Sequence, residues 1–331
     1  MTDLTRRTAM VGAVSAAAIA PLVGATRASA ASPPVGKQNG GWYRYKVGDA
    51  EVTVVTDGAR SFPIPDGFIA NAGKDDINKA LEAAHQPKDK ITLTFTPIVV
   101  NSGGKLYLID TGYGEKAYTE NKGIVGQLRN NLQAAGINPD SIDAVIISHY
   151  HGDHVDGLVL ADGSPTFKNA EVLVPAVEHK FWMDDGEMSR APKGRMEGLF
   201  KNNRRVFSGD ILKRVRTYDW DKEVAPGITA IATPGHTLGH TSFVVSSGSS
   251  KVFVQSDVTN LPALFVRNPG WHANFDQVPD MAETTRRKTY DMLVAEKLMV
   301  QAFHYPFPSL AYVEKAGSGY RESLVPWNPT I

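Results

Sequence analysis

Ala144-Val-Ile-Ile147, running straight into Ser148-His149-Tyr150-His151-Gly152-Asp153-His154, decides how this chain is read. A short, wholly apolar run rich in β-branched residues is the pattern of a strand buried on both faces. It delivers the chain to three histidines and one aspartate. On extended backbone His149 and His151 are two residues apart and point the same way, so both imidazoles reach one ion. Asp153 and His154 are adjacent and diverge, which suits a neighbouring ion. Gly152 lets the backbone bend between the two pairs. Neutral imidazole plus carboxylate is the donor set of a divalent cation that activates water without redox chemistry.

Three more donors stand at the ends of apolar runs further along. Ile228-Thr-Ala-Ile-Ala232 leads to His236 in Thr233-Pro-Gly-His236. Lys251-Val-Phe-Val254 leads to Asp257 in Gln255-Ser-Asp257, and His304 lies in Ala302-Phe-His304-Tyr-Pro306. With His149, His151, Asp153 and His154 these make seven donors, enough for two divalent metal ions, zinc first among them. Asp57 and Asp110 each close a strand-like run and are read either as partners orienting ligand imidazoles or as turn caps. His240 is read either as a partner supporting the metal ligands or as a structural hydrogen-bonder. His85, His179 and His272 stand in polar contexts and are not read as ligands.

The remaining pattern is mixed α/β. Glu51–Thr56, Glu171–Val174 and Thr241–Val245 read as strands, and Leu93–Val100 with Lys105–Ile109 as a hairpin turning at Asn101–Gly104. Ile124–Ala135 and Met281–Met299 have helical spacing. Arg204-Arg205 and Arg286-Arg287-Lys288 read as solvated helix faces. Glu178–Phe207 reads as irregular helix, a candidate cap over the site, with Trp182 and Phe200 either lining a pocket or packed in the core. Strands in two sheets with helices outside predict a four-layer αββα sandwich, occupying 42–331 as a single domain.

Residues 1–30 read as a twin-arginine-type export signal. Arg6-Arg7 precedes an alanine-rich apolar run, and Ala28-Ser29-Ala30 offers a cleavage site. Residues 31–41 read as a flexible lead-in. The expected location is periplasmic or secreted, with no membrane association after cleavage. Formal net charge is zero, so nothing favours nucleic acid, and a small neutral organic substrate is expected. There is no cysteine, which excludes disulfides, a thiolate metal ligand and a cysteine nucleophile.

His149-x-His151-x-Asp153-His154 followed by His236, Asp257 and His304 resembles the metallo-β-lactamase-fold superfamily. The likeness runs from Glu51 to His304 and includes the Asp110-Thr-Gly112 turn. It implies an αββα sandwich with metals at one edge of the sheets. His149, His151 and His236 would hold one, Asp153, His154 and His304 the other, and Asp257 would bridge them. Within the superfamily the chain is similar to the exported methyl parathion hydrolase-like branch, through Tyr43-Arg44, Asp57-Gly58, Phe181-Trp182, Gly235-His236-Thr237, Gly239-His240-Thr241 and Gly319-Tyr320-Arg321. That branch implies a homodimer. It also implies hydrolysis of neutral organophosphorus triesters or related esters by a hydroxide held between the metals, with Asp257 and Asp153 as the catalytic carboxylates. The alternatives on the same site are a lactonase, including acyl-homoserine lactones, and a hydrolytic dehalogenase of activated aromatics. Outside catalysis, the alternative is a metal-binding protein.

Overall fold

The strands of the computed structural model, which describes Gly36 and residues 38–331, begin where the lead-in ends. The export segment expected at 1–30, and most of 31–37, lie outside the described residues. The strands are β1 Trp42–Val47, β2 Ala50–Val55, β3 Gly58–Pro63, β4 Lys90–Phe95, β5 Ile98–Ser102, β6 Lys105–Ile109, β7 Ala144–Ile146, β8 Glu171–Pro175 and β9 Val215–Tyr218. After them come β10 Glu223–Ala225, β11 Ile228–Ala232, β12 Thr241–Ser247, β13 Ser250–Ser256, β14 Val300–Ala302, β15 Leu310–Ala316 and β16 Gly319–Leu324. The helices are α1 Lys74–Ala83, α2 Gly114–Glu120, α3 Leu128–Ala134, α4 Gly152–Val155, α5 Ala176–Trp182, α6 Asp185–Arg190, α7 Arg195–Val206, α8 Gly209–Arg214 and α9 Pro279–Glu296. No helix among the described residues is long and apolar enough to cross a membrane.

One seven-stranded sheet has the order β1-β2-β5-β6-β7-β8-β9, the other β10-β11-β12-β13-β14-β15-β16, and β3 pairs with β4 alone. Alternation along each strand builds the layers. In β7 and the residue after it, Ala144 and Ile146 join the core between the sheets, while Val145 and Ile147 join the core under the helices. Leu128 and Leu132 of α3, Trp182 of α5 and Phe200 of α7 cover the outer face of the first sheet. Tyr290 and Leu293 of α9 cover the outer face of the second. This is the expected αββα sandwich.

Parallel pairing sets where the site lies. β6, β7, β8 and β9 run parallel to one another, as do β13 and β14, joined by α9. The carboxyl ends of β6, β7, β13 and β14 therefore gather at one edge, where sites of open α/β sheets form. Asp110 and Ser256, at those ends, have positive φ of 62° and 51°. That strained conformation, which costs non-glycine residues about 1 kcal/mol or more, turns the chain sharply off the sheet.

Three expectations need correction. Leu93–Val100 is two strands, because Pro97 cannot donate to a ladder and Thr96 instead bonds the Phe303 carbonyl from both its backbone N–H and its hydroxyl. Glu178–Phe207 is regular where irregular helix was expected, resolving into α5, α6 and α7, and of the two readings of Trp182 and Phe200 the structure has the core one. Arg286 is 2% exposed and not on a solvated face.

Candidate metal centre

All seven predicted donors come together at the sheet edge. Their ligand atoms form three overlapping groups, each within 4.8 Å: His149 with His151 and His236, His149 with His154 and Asp257, and Asp153 with His154 and His304. His151 Nδ1 lies 3.1 Å from His149 Nε2 and 2.9 Å from His236 Nε2. Nitrogens so close point at one centre, the spacing that donors about 2 Å from a shared ion would have. Asp257 reaches both sides. Its Oδ2 is 3.3 Å from His236 Nε2 and 3.1 Å from His304 Nε2, and its Oδ1 is 3.3 Å from His154 Nε2. Asp153 Oδ2 is 3.5 Å from His304 Nε2.

Local structure explains the convergence. His151 is the N-cap residue of α4, so the backbone leaves extended geometry there and starts a helix that carries Asp153 and His154. Glu178, fully buried on α5, ties two ligand loops together. Its Oε1 accepts from the Tyr150 N–H and its Oε2 from the Gly239 N–H. Gly239 is required there, since a Cβ would sit 2.3 Å from the Glu178 nitrogen. Thr94 on β4 holds the last ligand, its carbonyl 2.7 Å from His304 Nδ1.

Four imidazoles are oriented by acceptors on their outer nitrogens. Asp110 Oδ2 is 2.8 Å from His154 Nδ1 and accepts from Ser148 Oγ, which in turn lies 3.0 Å from His149 Nδ1. Asp276 Oδ1 is 2.8 Å from His236 Nδ1, while its Oδ2 faces buried Arg286 at 3.4 Å. These are the outer partners that fix tautomer and ring direction at metal sites. Asp57 has a different role: its carboxylate accepts backbone N–H bonds from Tyr113, Gly126 and Leu128 and touches no ligand. His240 accepts from the Asp257 N–H through Nε2 and bonds the Thr233 carbonyl through Nδ1, and burial pushes it down to about 3. His85, His179 and His272 stay away; His179 meets Tyr150 and His272 meets Glu283.

The electrostatics suit cations. Burial, then neighbouring imidazoles, hold His149 and His151 well below the usual histidine range, so both rings are neutral. Burial opposes charge on Asp257, but His304 and His154 outweigh it and hold the carboxyl far below the carboxylate range. Burial likewise opposes charge on His154, and Asp257, Asp110 and Asp153 override it, raising that ring. The carboxylates thus demand positive charge among the donors. His154 Nε2 and Asp257 Oδ1 are buried without a hydrogen-bond partner, a cost that coordination would remove. The donor set therefore fits two divalent cations.

Above the donors is an open cavity of about 430 Å³. Phe62, Phe68, Phe95, Tyr113 and Phe275 wall it, with Arg195 and Leu199 contributed by α7. Sequence reading missed these walls, which come largely from β3, β4 and the segments around them. It also missed Asp276 and Glu178, whose roles depend on where α9 and α5 dock.

Residues 96–265 match the model of the metallo-beta-lactamase superfamily. The chain is 26% identical over 211 residues to the N-acyl homoserine lactonase of Bacillus thuringiensis, covering 58% of this chain and 74% of that one. Among solved structures it is similar to the hydrolase AbOPH, of the beta-lactamase superfamily, at 25% identity and a TM-score of 0.80 over 88% of this chain and all of that one. It is also similar to AidC, a dizinc quorum-quenching lactonase in complex with a product, at 23% identity and a TM-score of 0.79 over 87% of this chain and 98% of the other.

Proposed function

The chain belongs to the metallo-β-lactamase superfamily, and we propose that it is a dinuclear metal-dependent lactonase acting on N-acyl homoserine lactones or close analogues. One observation carries this reading: two donor groups meet at Asp257 on the floor of an apolar-walled cavity. Such a floor suits hydrolysis, and such walls suit an acyl chain. The likeness to the Bacillus thuringiensis N-acyl homoserine lactonase supports the substrate class.

His149, His151 and His236 would hold one cation, and Asp153, His154 and His304 the other, with Asp257 between them. Zinc is the first choice for imidazole and carboxylate donors without thiolate. Two such cations, when bound, acidify water toward neutral pH and polarise a carbonyl. The chain's own residues then set orientation. Asn260 Nδ2 donates to Asp257 Oδ2 at 2.9 Å, and His240 holds the Asp257 backbone, so that carboxylate is fixed before substrate arrives. Hydrolysis adds water across the acyl C–O bond, and the departing ring oxygen needs a proton. Asp153, with a side chain 17% exposed, is the donor most open to the cavity and the one placed to pass that proton.

A second reading is phosphotriester hydrolysis, as in the methyl parathion hydrolase-like branch. The Phe68–Phe275 pair, whose ring centroids lie 5.6 Å apart in the cavity wall, favours it, since aryl leaving groups pack well there. On either reading we place the enzyme outside the cytoplasm, because of Arg6-Arg7 and the apolar run that follows.

The experiment is a turnover panel on zinc-loaded protein: an N-acyl homoserine lactone, an aryl phosphotriester, an aryl ester and a β-lactam. The lactone should have the highest kcat/KM. A phosphotriester hydrolysed faster than the lactone would favour the second reading, and a lactone left intact would refute the first.

A further inference from the structure

The outer ring nitrogen of each ligand imidazole shows what that ring can do. In four of the five it faces an acceptor: Ser148 Oγ for His149, Asp110 for His154, Asp276 for His236 and the Thr94 carbonyl for His304. Those nitrogens carry the proton and free the inner one to coordinate. His151 differs. Its Nδ1 points into the donor cluster, and its Nε2 lies 3.4 Å from Arg195 Nη2. A ring coordinating through Nδ1 carries its proton on Nε2, and a guanidinium has donors only. Two donors therefore stand side by side with no protein acceptor between them. Among the described residues Arg195 makes no ion pair; Asp153 and Asp276 act on its charge from further off, and the side chain it meets within hydrogen-bond distance is His151.

Position narrows what the pair is for. Arg195 opens α7 just after Gly194, whose φ of 93° turns the chain. Its side chain lies at the exposed rim of the cavity, and Leu199, one helical turn on, lines the same wall. His151 Nε2 is on the far side of its ring from the donor cluster. An oxygen held by the pair is therefore not the carbonyl under attack but a second one, displaced toward the mouth.

We infer that Arg195 and the His151 Nε2–H together hold the amide carbonyl oxygen of an N-acyl lactone, which makes Arg195 a specificity-determining residue. The inference rests on the lactonase reading above. In an N-acyl homoserine lactone the amide is attached to the carbon next to the lactone carbonyl, so its oxygen lies a few bonds from the reacting centre. The acyl chain beyond it runs onto Leu199, Phe68 and Phe275. A lactone with an alkyl chain and no amide gives the donor pair nothing to hold. The charged guanidinium makes the interaction stronger than a neutral hydrogen bond.

The test compares zinc-loaded wild type, R195M and R195K on two lactones of equal alkyl length, one N-acylated and one without the amide. R195M should raise KM for the N-acyl lactone by about 10-fold or more with a far smaller change in kcat, the pattern of lost ground-state binding. The loss should exceed that on the amide-free lactone, and R195K should recover part of it. Calorimetric titration with the ring-opened N-acyl homoserine gives a readout independent of turnover, and R195M should weaken that binding by a similar factor while retaining its metal. Equal losses on both lactones, or unchanged product affinity, would overturn the inference and leave the lactonase reading standing. Wild-type protein that opens neither lactone would overturn both.

Discussion

His236 depends on a carboxylate 40 residues away, Asp276, which holds its Nδ1 at 2.8 Å. Asp276 is itself faced by Arg286, and that guanidinium also bonds the carbonyls of Val258, Pro269 and Trp271. Asp276→Ala should weaken metal binding by roughly 10- to 100-fold, the usual cost of losing such an outer partner, as read by competition with a chromophoric chelator. Unchanged affinity would mean that His236 needs no external orientation. At this scale the sequence was most legible where donors sit beside strand ends. His149, His151, Asp153 and His154 could be read as one donor cluster from spacing alone, and Asp110 could be expected at the end of β6. Asp276 could not, because its role arises from the docking of the segment before α9 against the Thr233–His240 loop. Asp57 looked like Asp110 in sequence, yet its strand end faces backbone N–H groups instead of an imidazole.

Among elements, α5 matters through Glu178, which fastens the Tyr150 and Gly239 loops to each other and accepts from Trp182 Nε1 as well. A carboxylate can accept all three bonds; an amide must turn its NH2 toward a donor. Glu178→Gln should therefore lower stability by about 1–3 kcal/mol, seen as a reduced urea midpoint with an unchanged slope. An unaltered midpoint would show that the clamp is dispensable. Strands such as β6 and β7 were readable because each is packed on both faces and so reads as a short apolar run. The β3–β4 pair, whose strands are separated in sequence by α1, was not. Its first strand, Gly58–Pro63, begins with glycine and ends with proline, residues that strands disfavour, and it pairs with one neighbour only. The walls of the cavity were hidden with it.

At the scale of the whole molecule, the donors tie the two sheets together. Asp153 and His154 follow β7 of the first sheet; Asp257 and His304 follow β13 and β14 of the second. Metal bound across that junction favours the folded state by linkage. Chelation should lower the melting temperature and restored zinc should return it, whereas identical melting with and without metal would show that the junction holds by itself. The layers could be read from sequence because alternation and helical spacing report burial directly. The substrate could not, because cavity shape depends on segments far apart in the chain. The central claim is a dinuclear centre joined by Asp257. Its most direct test is the metal content of zinc-replete protein after removal of free ion, measured on wild type and Asp257→Ala. A centre joined by Asp257 holds two equivalents per chain in wild type and fewer than two in the variant. One equivalent in wild type, or two retained by the variant, would contradict it.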